Sequence, residues 1–370
     1  MDREFLQRWS REWVVAHDPE RDRPLDDETR GGWLGFPPAT PGQIADAEER
    51  LGRRLPPSLR AFLLITDGWK DAGAFIYRLA GTAELDWLRD TSDAHWAEAY
   101  PDEVLGRSLR LSLAGDSSVL FLDPLDVGED GEWAAYRLAS WSGVGPERYD
   151  SFADLMFDLY ARFHALRQPP GETRDRWDAE VEQARAAALE GEIDGPMTVL
   201  TAADRFGRER ARLLLFQLHA MQGDWYKVPL SHLFLADLSI VDDPLFEAEL
   251  LPLLFAEGRL THRGGQFTLN RLREVPQARP KIEEYQARRA APGFCQTFDN
   301  PEFDTQVREI VADLAAGTLD DAWPRLRAAM SAWHPVSAGH IAPVVLFTDP
   351  LLAAMITPTR GRELLRIPRG

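Results

Sequence analysis

Apolar residues recur at three- and four-residue intervals in two short stretches near the front of the chain. Ile44, Ala47 and Leu51 form one stripe, and Leu59, Phe62 and Leu63 form another, which Thr66 extends. This spacing puts each set on one face of a helix. The polar positions around them are equally informative. Thr40 caps the first helix with its hydroxyl, Pro41 takes the first helical position, and Gln43 stands at the capping-box spacing. Gly52 supplies a left-handed stop. Leu55 leads into Pro56-Pro57-Ser58, which cannot continue a helix but can begin one. Asp67-Gly68 is read as the end of the second helix, with Trp69 as a large surface to bury.

The flanking patterns extend this hairpin into an α+β order. Phe5, Leu6, Trp9 and Trp13 share a face of a leading helix, and His17 to Gly32 reads as a polar surface loop. Strands are predicted over Ala74–Leu79, Leu109–Leu113, Val119–Leu122 and Trp133–Leu138, where apolar runs or period-two alternation occur. Ala83 to Glu103 reads as a pair of short helices or an irregular insertion. Ser151 caps a helix from Phe152 to Leu166 with Leu155, Leu159 and Phe163 at helical spacing. Helices, then strands, then a helix is an α+β succession.

Gln168-Pro169-Pro170-Gly171 is a strong break. It divides the chain into residues 1–168, with a core at about 35–166, and a mainly helical part, 172–370. In that second part helices are predicted over Trp177–Leu189, over Thr198–Met221 as one or two, and over Pro244–Ala256. Phe303–Leu314 with Leu319–Trp333 forms a closing helical pair, and Glu363–Ile367 a short tail helix. Arg259 to Leu269 reads as a β-hairpin turning at Gly264-Gly265. Ile341 to Phe347 is either a strand or a buried helix. A helix pair ending near Gly223-Asp224-Trp225 resembles a helical-repeat unit, but no second copy follows at a fixed period.

Composition narrows the class. The chain has 370 residues, 44% hydrophobic and 28% charged, as a soluble globular protein of two or more domains should. The net charge of −18 argues against general nucleic-acid binding and favours encounter with a basic partner. A single cysteine, Cys295, permits no internal disulfide and fits a reducing compartment. The charged start has no signal-peptide core, and no apolar run reaches the ~18 residues of a membrane span. A cytoplasmic location is the expectation. Lysine occurs only at positions 70, 227 and 281 against abundant arginine, a bias expected of a GC-rich bacterial genome.

Catalytic signatures are not found. The eight histidines show no H-E-x-x-H spacing, and one cysteine rules out Cys₄ or Cys₂His₂ zinc sites. There is no G-x-S-x-G elbow. Gly143-Val144-Gly145 begins like a dinucleotide loop, but Arg148 stands where the third glycine belongs, so it is read as a turn. Neither a cofactor nor a metal is expected. Sixty carboxylates leave no particular pair persuasive, and Asp86, Asp90 and Asp93 are read as solvated surface.

Charge itself marks one segment. From Leu111 to Tyr136 there is no lysine or arginine, while Asp116, Asp123, Asp126, Glu129, Asp130 and Glu132 are acidic. One reading is that acidic turns keep a sheet edge soluble and unpaired. The other is an acidic face for a basic protein partner, with Trp133 or Trp141 as aromatic anchor. A lesser candidate is the helix–hairpin at Leu250–Arg271, which His262, Arg263, Arg271 and Arg273 would make a winged nucleic-acid reader or, more simply, a packing unit.

The stretches Leu51-Gly52-Arg53-Arg54-Leu55-Pro56 and Leu63-Leu64-Ile65-Thr66-Asp67-Gly68-Trp69 resemble the N-terminal signature of the SUKH superfamily, named after the Smi/Knr cell-wall regulators of yeast. The resemblance covers about Gly35 to Leu166. It implies a mixed sheet with flanking helices, and a non-enzymatic, protein-binding role. Bacterial members are associated with immunity to secreted polymorphic toxins, often nucleases, which they bind and block. On this reading Leu51, Gly52, Leu55, Pro56, Asp67, Gly68 and Trp69 carry fold rather than contact. The alternatives are a regulatory scaffold of the cell-wall or signalling kind, or an enzyme with its site in the second half. The resemblance leaves the second half unexplained.

Overall fold

The computed structural model describes every residue except 21, 23, 74, 100–102, 257–264, 299, 318–320 and 370. The described chain falls into two compact units, Met1–Asp175 and Arg176–Gly370.

The first unit is built on a capped helix. Thr40 Oγ1 accepts the Gln43 N–H at 3.2 Å, and Gln43 Oε1 accepts the Thr40 N–H at 2.9 Å, closing the capping box. Pro41 opens the helix, Ile44, Ala47 and Leu51 are buried, and Gly52 ends it at φ 65°. Numbering helices in chain order, α1 is Arg3–Ala16, α2 Asp27–Arg30, α3 Pro41–Leu51, α4 Pro57–Leu63, α5 His95–Ala99, α6 Glu103–Arg107 and α7 Phe152–Arg167. Helix α4 stops at Leu63, short of the Asp67-Gly68 expected to end it. Asp67 serves otherwise: its carboxylate takes the Thr82 N–H at 2.5 Å and hydroxyl at 2.9 Å. Trp69 is sealed from solvent, with Trp9, Trp33 and Phe62 around it at ring distances of 5.8, 5.4 and 6.4 Å. Leu51, Leu55 and Pro56 are buried as well, so the motif is interior, with Gly52 at a helix end.

The strands are β1 Trp69–Gly73, β2 Ile76–Leu79, β3 Asp86–Trp87, β4 Leu109–Arg110, β5 Ser112–Gly115, β6 Ser118–Val127, β7 Trp133–Ala139 and β8 Glu147–Tyr149. They form two antiparallel sheets, ordered β1-β2-β5 and β3-β4-β6-β7-β8. The α+β order stands, but the described pairs are all antiparallel where a mixed sheet was expected. The expected Leu109–Leu113 strand is split, and its two pieces belong to different sheets. Strands β6 and β7 lie inside the larger sheet, not at its edge. Position 74 of the predicted Ala74–Leu79 strand is outside the described residues, and the strand itself begins at Ile76. Between Ala83 and Glu103 lie β3, two short 3-10 turns and α5.

Helices α1 and α7 are joined by a buried polar cluster. Glu12, 6% exposed, receives the Tyr160 hydroxyl, the Thr173 N–H at 3.3 Å and a contact from His164 Nε2 at 2.9 Å. Burial raises the Glu12 carboxyl, but the bonds from His164, Tyr160 and Thr173 outweigh it and hold the group below its ordinary range.

The second unit is largely helical: α8 Glu172–Leu189 (whose first turn belongs to the first unit), α9 Asp194–Arg205, α10 Glu209–Met221, α11 Leu230–Ala236, α12 Leu251–Ala256, α13 Gly265–Leu272, α14 Ala278–Ala290, α15 Pro301–Ala315, α16 Ala322–Ala329, α17 Pro350–Met355 and α18 Pro358–Leu365. Thr198–Met221 is therefore two helices. A π-helical turn, Phe246–Leu250, precedes α12. The expected hairpin at Arg259–Leu269 is corrected in part. Residues 257–264 are outside the described chain, but Gly265–Leu272 is a helix that buries Thr268, Leu269 and Leu272. Val344–Thr348 forms a buried 3-10 turn, neither strand nor α-helix. Positions 319 and 320 of the predicted Leu319–Trp333 helix fall outside the described residues.

Two contacts close this unit. Arg369, 3% exposed, donates to the carbonyls of Ala188 at 2.6 Å, Ile341 at 3.1 Å, Leu364 at 3.1 Å and Ile367 at 2.9 Å, and also to that of Leu365. The guanidinium thus fills the converging C-terminal ends of α8 and α18, where carbonyls lack helical partners. Burial lowers its pKa to about 10. At Gly361, a Cβ would stand 1.6 Å from the Met221 carbonyl oxygen, so only glycine admits this approach of α18 to α10.

Candidate protein-binding surface

The acidic run between Leu111 and Tyr136 does not form one face. Asp123 is fully buried and holds Arg107 in a two-pronged pair, Nε at 2.8 Å and Nη2 at 2.6 Å. Burial pushes its carboxyl up, while Arg107 and the Leu125 N–H hold it below the ordinary range. Asp126 takes Arg148 Nε at 2.7 Å and the Tyr136 hydroxyl at 2.9 Å. Burial, then Asp126, pushes the Tyr136 hydroxyl up to about 12. Glu132 accepts both the N–H and the hydroxyl of Ser58 at 2.7 Å. It thereby caps α4, whose own N-cap, Pro56, has no side chain to do so. Trp133 is only 6% exposed.

Asp123, Glu132 and Trp133 are therefore interior groups, which corrects their assignment to a contact face. The physical reason is that β6 and β7 are inner strands, so their residues find partners above and below the sheet. Glu129 and Asp130 are exposed at the tip of the β6–β7 hairpin, beside Leu125 and Val127. Asp116 is exposed at the opposite end, some ten residues of β6 away.

At that opposite end the structure gathers a different set. Trp141 is 58% exposed and meets Phe75 edge to face, with ring centroids 5.8 Å apart. Val144 beside them in sequence is also exposed. The loops carrying these residues are stitched by backbone bonds: Asp116 N–H to the Phe75 carbonyl at 2.8 Å, and Ser140 N–H to the Ser117 carbonyl at 3.0 Å. Phe75 has φ 70° and Ser117 φ 50°. For a bulky residue such as Phe75 that region is strained and persists only where the surroundings enforce it. A strained backbone therefore presents an aromatic side chain to solvent. A cavity of about 280 Å³, lined by Trp13, Phe163 and Leu166 among others, opens beside Phe75. A second groove of about 530 Å³ contains His95, Trp96, Ser112, Ser118 and Ser140. Phe75 was missed in the sequence, where it reads as one residue of an apolar strand.

Among the described residues, no group of three or more His, Cys, Asp or Glu is placed to hold a metal ion. No described helix is long and apolar enough to cross a membrane. Cys295 is exposed and unpaired in the second unit.

A two-sheet α+β unit with an internal polar scaffold and an exposed aromatic ridge defines a binding domain. Residues 38–158 match the SMI1 / KNR4 family (SUKH-1), and this part of the chain is a domain of that family. Domains of this family are generally non-catalytic. The match covers less than half of the chain and assigns nothing to the second unit. Neither the curated proteins nor the solved structures contain a match to the chain.

Proposed function

We propose that this chain is a protein-binding immunity protein whose SUKH-1 domain captures and blocks a basic toxin domain, such as a nuclease. The observation that carries this reading is the Phe75–Trp141 ridge, exposed on strained backbone and bordered by Asp116. Buried-anchor energetics favour one or two large aromatic side chains at the centre of an interface, with surrounding charge raising the association rate. The overall charge of −18 suits a basic partner. Of the acidic residues singled out, Asp116, with Glu129 and Asp130 at the far tip, is available for that role. We also take residues 1–168 and 172–370 as separate domains, and the chain as acting in the cytoplasm.

The test is capture from native lysate by the full chain and by its Trp141→Ala variant, with the bound protein identified and its activity assayed. A stoichiometric basic protein held by the first and lost by the second supports the reading. Equal capture by both, or an acidic partner, rejects it.

A further inference from the structure

Beside the aromatic ridge runs a groove whose chemistry differs from it. One wall is β5, Ser112–Gly115, the edge strand of the three-stranded sheet. Its Ala114 and Gly115 are exposed. An edge strand carries a row of backbone N–H and C=O groups open to a further strand. The other wall carries Asp93, His95 and Trp96, and the groove measures about 530 Å³. Ser118 lines it at the root of β6. Ser118 is 6% exposed, and its hydroxyl has no hydrogen-bond partner among the described residues. A hydroxyl removed from water and left unbonded is costly. A turn about χ1, a single staggered step, re-aims it.

We infer that this groove binds an extended segment of the partner protein, which adds as a strand to β5 and gives a hydrogen-bonding group to Ser118. The inference rests on the protein-binding reading above but not on the toxin identity. Backbone pairing supplies affinity in this mode, and pockets alongside supply selectivity. Asp93 and Asp116 border the site, and residues 111–136 contain no lysine or arginine. The segment therefore carries Lys or Arg flanking its paired residues. Trp141 and Phe75 lie next to the groove's end through the Ser117–Ser140 and Phe75–Asp116 backbone bonds, so one partner spans both.

The probe is a phage-displayed library of random twelve-residue peptides, panned on the immobilised full chain. Recovered peptides are synthesised and titrated by fluorescence anisotropy, and hydrogen exchange is read with and without them. Enrichment of basic, β-branched peptides that protect the amides of residues 112–115 is the expected result. Ser118→Ala should weaken the peptide about fivefold, the loss of one hydrogen bond. The same variant should keep or raise the melting temperature, because an unbonded hydroxyl has gone. A merely structural serine would give the reverse, a lower melting temperature with unchanged affinity. No enrichment, protection elsewhere, or unchanged affinity in Ser118→Ala overturns strand addition. If the lysate partner is still captured through Trp141 in that event, the protein-binding reading survives alone. If that capture fails while peptides bind β5, the ridge reading falls and the groove stands.

Discussion

His164 and Glu12 meet at 2.9 Å across 152 positions of sequence, and both side chains are nearly closed to solvent. Removing one partner of a buried charged pair typically costs about 3–5 kcal/mol, because the other is left uncompensated. Glu12→Gln should therefore lower the stability of the first unit by that order at neutral pH. The folded Glu12 carboxyl titrates below its ordinary value of 4.5, so its stabilisation is complete above that pH. It is lost as pH falls through the lower, folded value. Melting curves of the two proteins should differ most at pH 7 and converge in acid. A gap that stays constant down to pH 3 would contradict this assignment.

Gly361→Ala should destabilise the second unit by 1–3 kcal/mol or more, the usual range for overpacking, because the added methyl meets backbone and not a yielding side chain. Gly106→Ala is the matched control. A Cβ at Gly106 meets nothing within 4 Å, and the site is helical. There the exchange should gain about 0.5–1 kcal/mol. Chemical denaturation of both variants reads the contrast.

The two tryptophans near the end of β7 should behave oppositely. Trp133→Ala should cost about 3–5 kcal/mol, as expected of a large core deletion, and Trp141→Ala should leave the melting temperature within a degree or two. Only the second should abolish partner capture in full. A folded Trp133→Ala chain that lost binding while Trp141→Ala retained it would exchange their roles.

Arg369→Lys should be nearly as damaging as Arg369→Ala. Lysine keeps the charge but offers three donors from one point, where the guanidinium fork reaches five carbonyls. Both substitutions should speed hydrogen exchange at the C-terminal turns of α8 and α18. Protection unchanged in the lysine variant would show that charge alone holds these ends.

Local rules carried the sequence reading far. The Thr40–Gln43 box, the Gly52 stop and the Ser151 cap need only neighbours three residues away, so they are visible in the string. What failed was non-local. Nothing near Asp123 announces Arg107 as its partner, and Ser58 lies 74 positions from Glu132. An acid held by such a partner looks the same in sequence as an acid in water. Trp133 and Trp141 are likewise indistinguishable until β7 is known to be an inner strand. The stretch Gln266–Leu272 satisfies both the strand and the helix period, and a short apolar run cannot choose between them. Phe75 is the sharpest omission, since no residue preference marks an aromatic side chain held at positive φ.

That same position carries a consequence for how the sequence changes over time. Glycine or asparagine suits the Phe75 backbone better. Selection for folding alone would therefore replace the phenylalanine, and its presence records selection for something else. A mutant library at this site, sorted once for heat resistance and once for partner retention, should drift in two directions. The first population should fill with glycine and asparagine, and the second should keep an aromatic ring.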